Sequence, residues 1–180
     1  MDATRRLLIR AAALALLLPL SGCGYSLAGR GSFLPAYIKV IGVPTFTNAT
    51  TVYDVERRIS ERVRSEFIGR GKYTVKSEAG GVDGLLTGEI TSIALTPAAF
   101  TDQRQASRYV LTLTAKMEFR DVRANKVLWS NPSMQFREEY DNPSTATADP
   151  TAFFGQDANA LDRVAQAFAR SIVSAILEAF

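Results

Sequence analysis

The sequence predicts an α+β fold. In this two-layer sandwich, a four-stranded, mixed and mostly antiparallel sheet carries two helices on one face, in the order β-α-β-β-β-α. Residues 109–119 alternate apolar and polar side chains, which is typical of a strand with one buried face. Residues 52–67 and 158–179 place apolar side chains three or four positions apart, as amphipathic helices do. Both helix stripes and the apolar sheet face are buried if the helices share that face.

The first strand and the first helix are separated by a polar turn. Residues 38–43 are almost all apolar, which suits a strand covered on both faces. After the turn at residues 45–51, Thr51 is the candidate cap of the helix. Gly69 and Gly71 are expected to end that helix, because glycine readily takes the conformation that closes a helix.

The middle of the chain is predicted to hold one more long strand before the alternating one. Its pattern covers residues 85–95 and stops before Pro97, since proline lacks the N–H that a sheet ladder requires. Residues 97–107 are expected to form a loop. Residues 73–76 are a candidate short strand outside the count of four.

A hairpin is predicted after the alternating strand. Residues 123–126 form its turn, with Asn125 able to take a left-handed conformation. The return strand covers residues 127–138 and is expected to be interrupted at Asn131 and Pro132. The proline-containing stretch 141–157 is predicted to be a mobile loop before the last helix.

The N-terminus is predicted to be an export leader that ends at a lipid attachment site. Its apolar run, residues 11–20, is shorter than the roughly 20 residues that span a bilayer. Residues 20–23, Leu-Ser-Gly-Cys, resemble the lipobox of bacterial lipoproteins. The resemblance implies cleavage before Cys23, diacylation of its thiol and acylation of the new α-amine. Gly24, rather than aspartate, favours sorting to the outer membrane.

Two alternatives stay open for this leader. A plain leader cut nearby leaves Cys23 as a free thiol, which is unusual in an exported protein. The paired Arg5 and Arg6 also resemble a twin-arginine signal, so the export route has two candidates. The predicted organisation is a signal peptide over residues 1–22, a lipidated tether over 23–36 and a single α+β domain over 37–180.

The composition excludes most catalytic chemistry. The chain has no histidine and one cysteine, which rules out Ser-His-Asp triads, Cys-His pairs and the common zinc sites. No compact set of other catalytic or metal-ligating side chains stands out, so neither an enzyme nor a cofactor is expected. The formal charge of +3 includes three leader arginines and gives no reason to expect a nucleic-acid partner.

Four segments that follow the lipobox in a fixed order resemble the LptE family of lipopolysaccharide (LPS) assembly lipoproteins. They are residues 23–27 (CGYSL), 34–44 (LPAYIKVIGVP), 67–73 (FIGRGKY) and 86–90 (LTGEI). The resemblance implies a four-stranded sheet with two helices on one face. It also implies a non-enzymatic lipoprotein, anchored on the periplasmic side of the outer membrane, that plugs the LptD β-barrel one-to-one. In that role it helps the barrel assemble and helps deliver LPS to the outer leaflet.

The resemblance also suggests which surfaces are used. A polar sheet face fits the polar lumen of a barrel, and Lys116 and Arg120 on that face are expected to meet its wall. The family's basic strand ends and loops are associated with LPS contact. The matching positions are Arg104, Arg108, Arg123 and Lys126. Arginine pairs bidentately with phosphate, although turn solubility explains basic loops equally well.

A second function shares the same anchor and fold. In it, the chain is a lipid-anchored periplasmic scaffold subunit of another envelope complex, such as a secretion or efflux assembly. The identity of the partner separates this function from LPS assembly.

Overall fold

The computed structural model describes residues 34–70, 72–102, 106–141, 149–156 and 158–178. The predicted leader, Cys23 and most of the tether therefore lie outside the described residues. The described part contains six strands and three helices. In chain order they are β1 Val40–Gly42, β2 Thr47–Asn48, α1 Val55–Gly69, β3 Thr74–Lys76, β4 Gly84–Phe100, β5 Ala106–Asp121, β6 Lys126–Asp141, α2 Pro150–Gln156 and α3 Ala158–Leu177.

The sheet is mixed, as predicted, but it has six strands rather than four. Its order is β3-β1-β4-β5-β6, and β2 also pairs with β4. β1 runs parallel to β3 and β4, β2 runs parallel to β4, and β4, β5 and β6 form an antiparallel ribbon. The prediction missed β2 and left β3 uncounted because strands of two and three residues are too short to show a period.

Two prolines that were expected to end or interrupt strands do neither. β4 continues through Pro97 to Phe100 and β5 begins at Ala106, so the predicted loop over residues 97–107 is too long at both ends. β6 also runs on through Pro132, with a register shift where Met117 pairs with Asn131. Both prolines lie on outer strands of the ribbon, where a missing N–H need not break a ladder hydrogen bond.

Helix α1 begins three residues later than the apolar pattern suggested. Asp54 precedes it in a left-handed conformation (φ 69°), so the prediction that Thr51 caps the helix is wrong. The Asp54 carboxylate binds Arg57 and Arg58 and caps no backbone N–H. The helix ends at Gly69 as expected, whereas Gly71 lies outside the described residues.

The last part of the chain contains one helix more than predicted. α3 matches the expected final helix, but α2 occupies part of the stretch that was predicted to be a loop. α2 forms because Phe153 and Phe154 are both buried, and Phe153 packs edge-on against Tyr140 with ring centroids 5.3 Å apart. Residues 142–148 lie outside the described part of the chain.

The core lies between the helices and one face of the sheet. Four apolar α1 side chains are fully buried, and they are Val55, Ile59, Val63 and Phe67. The alternating strand contributes its apolar set as predicted, namely Tyr109, Leu111, Leu113, Ala115, Met117 and Phe119. α1 and α3 run side by side in the same direction, since Arg62 pairs with Asp162 and Arg70 bonds to Ser174. No other described element covers the opposite face of the ribbon.

Candidate interaction surface

The uncovered face of the β4-β5-β6 ribbon, which we call the open face, is polar and carries both signs of charge. Glu89 on β4 lies directly opposite Lys116 on β5. Glu118 forms an ion pair with Arg120 at 2.8 Å, and Arg120 also donates to the Asn125 side chain at 3.2 Å. The face therefore offers hydrogen-bond donors and acceptors to a polar partner surface.

Arg108 lies on the open face near the start of β5. Its guanidinium approaches Asp141 at 3.2 Å and Glu139 at 3.4 Å, both on β6. All three side chains are exposed, and such surface pairs are worth at most about 1 kcal/mol each. Such exposed pairs hold Arg108 only weakly, but the two carboxylates also place negative charge beside it, which opposes an approaching phosphate. Arg104 lies outside the described residues.

Arg123 and Lys126 lie at the opposite end of the ribbon, in the hairpin between β5 and β6. Asn125 takes the predicted left-handed conformation there, with φ 49°. Arg108 and Asp121 are 13 positions apart on one strand, which separates the two ends by roughly 43 Å. Arg108 and the hairpin residues therefore cannot bind the same headgroup, and they form two separate basic sites.

Arg123 is held by internal partners, although 61% of its side chain is exposed. Its guanidinium binds the Asp83 carboxylate at 2.6 Å and lies 5.5 Å from the ring centre of Tyr37. Lys126 is exposed at the first position of β6. Of the two hairpin cations, Lys126 is therefore the freer to meet an external anion.

Two buried carboxylates join the N-terminal segment to this hairpin end, and we call Tyr37, Asp83, Asp121 and Arg123 the entry cluster. Asp83 is only 8% exposed and Asp121 only 1%. Asp83 accepts hydrogen bonds from the backbone N–H groups of Lys39 and Val40, both at 3.0 Å. Asp121 accepts a hydrogen bond from the Tyr37 hydroxyl. The cluster fixes the chain where it enters the domain.

The hydrogen bonds of the entry cluster shift its pKa values in opposite directions. The N–H groups of Lys39 and Val40 hold the pKa of Asp83 below 3.8, with a smaller contribution from Arg123. The hydroxyl of Tyr37 is the main cause that lowers the pKa of Asp121, and the same bond raises the pKa of Tyr37 above 10.0. Both carboxylates are thus stabilised in their charged form.

Sequence reasoning missed Tyr37, Asp83 and Asp121. Asp83 and Asp121 lie 38 positions apart and each stands at a strand end, where an isolated aspartate is ordinarily a turn residue. Only the pairing of β4 with β5 brings them together, since Gly84 lies opposite Asp121. No local pattern in the sequence identifies such a cluster.

The described residues contain neither a metal-binding group nor a membrane-spanning helix. No set of three or more Cys, Asp or Glu side chains among them is arranged to hold a metal ion. No helix in the described ranges is long and apolar enough to cross a bilayer.

Comparison with known families identifies the chain. The sequence model of the LptE family, described as lipopolysaccharide-assembly, matches residues 38–176. The chain belongs to the LptE family. No curated protein matches it by sequence.

Solved structures share the fold of this chain. Uncharacterized lipoprotein B from Nitrosomonas europaea is similar with a TM-score of 0.51 and 12% identity, covering 86% of this chain and 91% of that one. The hypothetical protein CT253 from Chlamydia trachomatis is similar with a TM-score of 0.50 and 12% identity, covering 77% and 95%. At such low identity these likenesses establish the fold alone.

The match to the LptE family covers the whole layered domain. It begins at residue 38, next to Tyr37 of the entry cluster, and ends at residue 176 inside α3. It therefore includes the open face and the positions of all four candidate LPS-binding cations. Cys23 lies before it.

Proposed function

We propose that this LptE-family protein is a lipoprotein of the outer membrane that works as the plug of an LptD-type β-barrel. In this role Cys23 carries the lipid, the domain lies on the periplasmic side, and the protein helps the barrel assemble and deliver LPS. The protein acts by binding rather than by catalysis.

The observation that carries the proposal is a family match that coincides with a sheet covered on one face only. The helices bury the apolar face, and the open face presents Glu89, Lys116, Glu118 and Arg120. The lumen of an outer-membrane barrel is polar, so this surface suits its wall.

The two basic sites support a role in LPS contact. Lipid A phosphates favour paired guanidinium and ammonium donors. We assign the first site to Arg108 with Arg104, and the second to Lys126 with Arg123. Because the entry cluster already binds Arg123, we expect the larger contribution from the Arg108 end.

Copurification tests the plug function. The full chain, expressed in its native host and extracted in detergent, should copurify one-to-one with a large β-barrel. Depletion should reduce both assembled barrel and surface LPS. Recovery of a free monomer beside an intact barrel would overturn the proposal, and recovery with a secretion or efflux complex would favour the scaffold function instead.

Charge reversal tests the LPS site. Arg108→Glu, alone or with Arg104→Glu, should weaken LPS binding, and the difference from wild type should shrink as salt is raised because the contact is exposed. Arg170→Glu is the matched control, since Arg170 is exposed on α3 in the helix layer. Equal loss in both variants at low salt would mean that net charge, rather than this site, governs binding.

A further inference from the structure

The two outer edges of the β4-β5-β6 ribbon differ in chemistry. The β6 edge contains Pro132 beside a register shift and carries several charges, namely Lys126, Arg137, Glu138, Glu139 and Asp141. Residues 92–100 of β4 (SIALTPAAF) carry no charge. Charges, prolines and bulges are what discourage edge strands from pairing with other chains. From Ser92 to Thr96 the β4 edge has none of these features, whereas Pro97 and two register shifts, at Pro97/Ala99 and Ala99/Phe100, lie at its far end.

This β4 edge has no partner strand among the described residues. β2 pairs with β4 only where Thr47 meets Glu89 and Asn48 meets Ile90. The last main-chain bond on this side runs from the Ala49 N–H to the Ile90 carbonyl at 2.9 Å. Beyond it, residues 92–100 extend for roughly 30 Å.

The backbone pattern shows which groups face outward. The Ile90 carbonyl points away from β5, toward β2. A register shift inserts Thr91, after which Ser92 pairs with Thr114. In a strand, the N–H and C=O groups of successive residues point alternately toward one neighbouring strand and the other. The polar backbone groups of Ile93, Leu95 and Pro97 therefore point outward, away from β5. Pro97 thus occupies a position where its missing N–H costs no bond to β5, and the edge offers two N–H donors and three carbonyl acceptors.

The side chains beside this edge leave room on the open face. Ser92, Ala94 and Thr96 are small and exposed there, in rows with Thr114, Thr112 and Val110 of β5. On the other face Leu95 is buried in the core. A strand added to this edge would extend the open face with its own larger side chains.

We propose that an extended segment of the barrel partner adds to residues 92–100 of β4 as a further strand. The edge is continuous with the open face, which the proposed function places against that barrel, and the inference rests on that function for the partner's identity. Main-chain hydrogen bonds hold the segment, as in other cases of strand addition. A second copy of this chain is a poorer occupant, because two 30 Å edges bury far less than the roughly 1,200 Å² of a stable interface.

Amide hydrogen exchange tests this pairing in the complex of the full chain with its barrel. The amides of Ile93 and Leu95 should exchange roughly tenfold or more slowly in the complex than in the detergent-solubilised chain alone. The outward amides of the β6 edge, from Gln135, Arg137 and Glu139, serve as the internal reference and should change less.

A pair of lysine substitutions provides the matched control. Ser92→Lys and Gln135→Lys lie in one row of the open face, on either side of Thr114. A lysine on an edge strand discourages pairing, so Ser92→Lys should lose the protection at Ile93 and Leu95, whereas Gln135→Lys should keep it.

The outcomes separate this inference from the proposed function. A stable complex in which Ile93 and Leu95 exchange as fast as in the free chain overturns the pairing and leaves the plug function intact. Protection that appears in the free chain as its concentration rises identifies a second copy as the occupant, and this also overturns the inference. Failure to recover any barrel complex overturns the proposed function and the barrel segment together.

Discussion

At the residue scale, Gly42 and Gly88 lie in neighbouring strands, and a side chain added at each would collide with a different kind of atom. A Cβ on Gly42 would lie 2.6 Å from the backbone carbonyl oxygen of Glu78. A Cβ on Gly88 would lie 2.6 Å from the sulfur of Met117. Backbone can move only with its whole segment, whereas a methionine side chain changes rotamer easily.

Gly42→Ala should therefore destabilise the domain more than Gly88→Ala. We expect Gly42→Ala to lower the free energy of unfolding by about 1–3 kcal/mol, the range for overpacking in a close-packed site. Gly88→Ala should cost less because Met117 can yield. Urea denaturation of both variants measures the difference, and an equal loss would show that the Glu78 segment moves as readily as the methionine.

The entry cluster predicts a pH dependence. The pKa of Asp121 is lowered in the folded state, so its contribution to stability is present above the unfolded value of about 3.8 and is lost as pH falls through the folded pKa. Asp121→Asn removes this contribution and weakens the bond to Tyr37. The variant should unfold at a lower temperature than wild type at pH 7, and the gap should narrow as pH falls below 4.

Thermal unfolding of both proteins across this pH range is the measurement. Glu118→Gln is a suitable control, because Glu118 is a carboxylate of the same strand whose ion pair with Arg120 is half exposed. A gap between wild type and Asp121→Asn that stays constant down to pH 3 would show that the charge of Asp121 does not stabilise the fold.

At the element scale, α1 shows how one helix separates a core face from a solvent face. Phe67 is fully buried and packs edge-on against Tyr73, with ring centroids 6.3 Å apart. Ile68, the next residue, is 57% exposed. The two side chains differ in environment because successive helical positions are turned by about 100°.

Truncating these neighbours should have very different effects. Phe67→Ala should lower the free energy of unfolding by about 3–5 kcal/mol, because it leaves a cavity under α1. Ile68→Ala should change it by no more than about 0.5 kcal/mol. Chemical denaturation compares them, and a large loss from Ile68→Ala would mean that this exposed position is covered in solution.

At the scale of the whole molecule, the anchor and the domain are expected to act independently. Among the described residues, the hydrophobic core is built from residues 34 to 177. Cys23→Ser should therefore abolish acylation and move the protein from the detergent phase to the aqueous phase. Its thermal unfolding should remain that of the wild-type domain.

Detergent phase partitioning, with mass spectrometry of the N-terminus, measures the effect. Ser26→Ala, three residues after the predicted cleavage site, is the control and should leave acylation unchanged. Unchanged partitioning of Cys23→Ser would contradict the lipoprotein assignment without affecting the fold.

Much of the architecture followed from periodicity along the chain. The alternation that ends at Phe119 predicted the central strand and its buried face, and the spacing from Val55 to Phe67 predicted the buried stripe of α1. Asn125 predicted its turn, because asparagine tolerates a left-handed backbone. All three features are local. The strand and helix patterns repeat several times along one element, and the turn depends on a single residue type.

Only the tertiary structure decided the contacts between distant segments. Thr74–Lys76 becomes a strand because β1 lies beside it, and Pro97 is tolerated because β2 ends before reaching it. Asp83 and Asp121 meet through strand pairing, and that meeting fixes Arg123, which the sequence presented as a candidate LPS contact in a turn. The sequence by itself determined the layers and the family resemblance through local patterns. Which groups pair and which edge stays open depended on long-range packing, which no local pattern encodes.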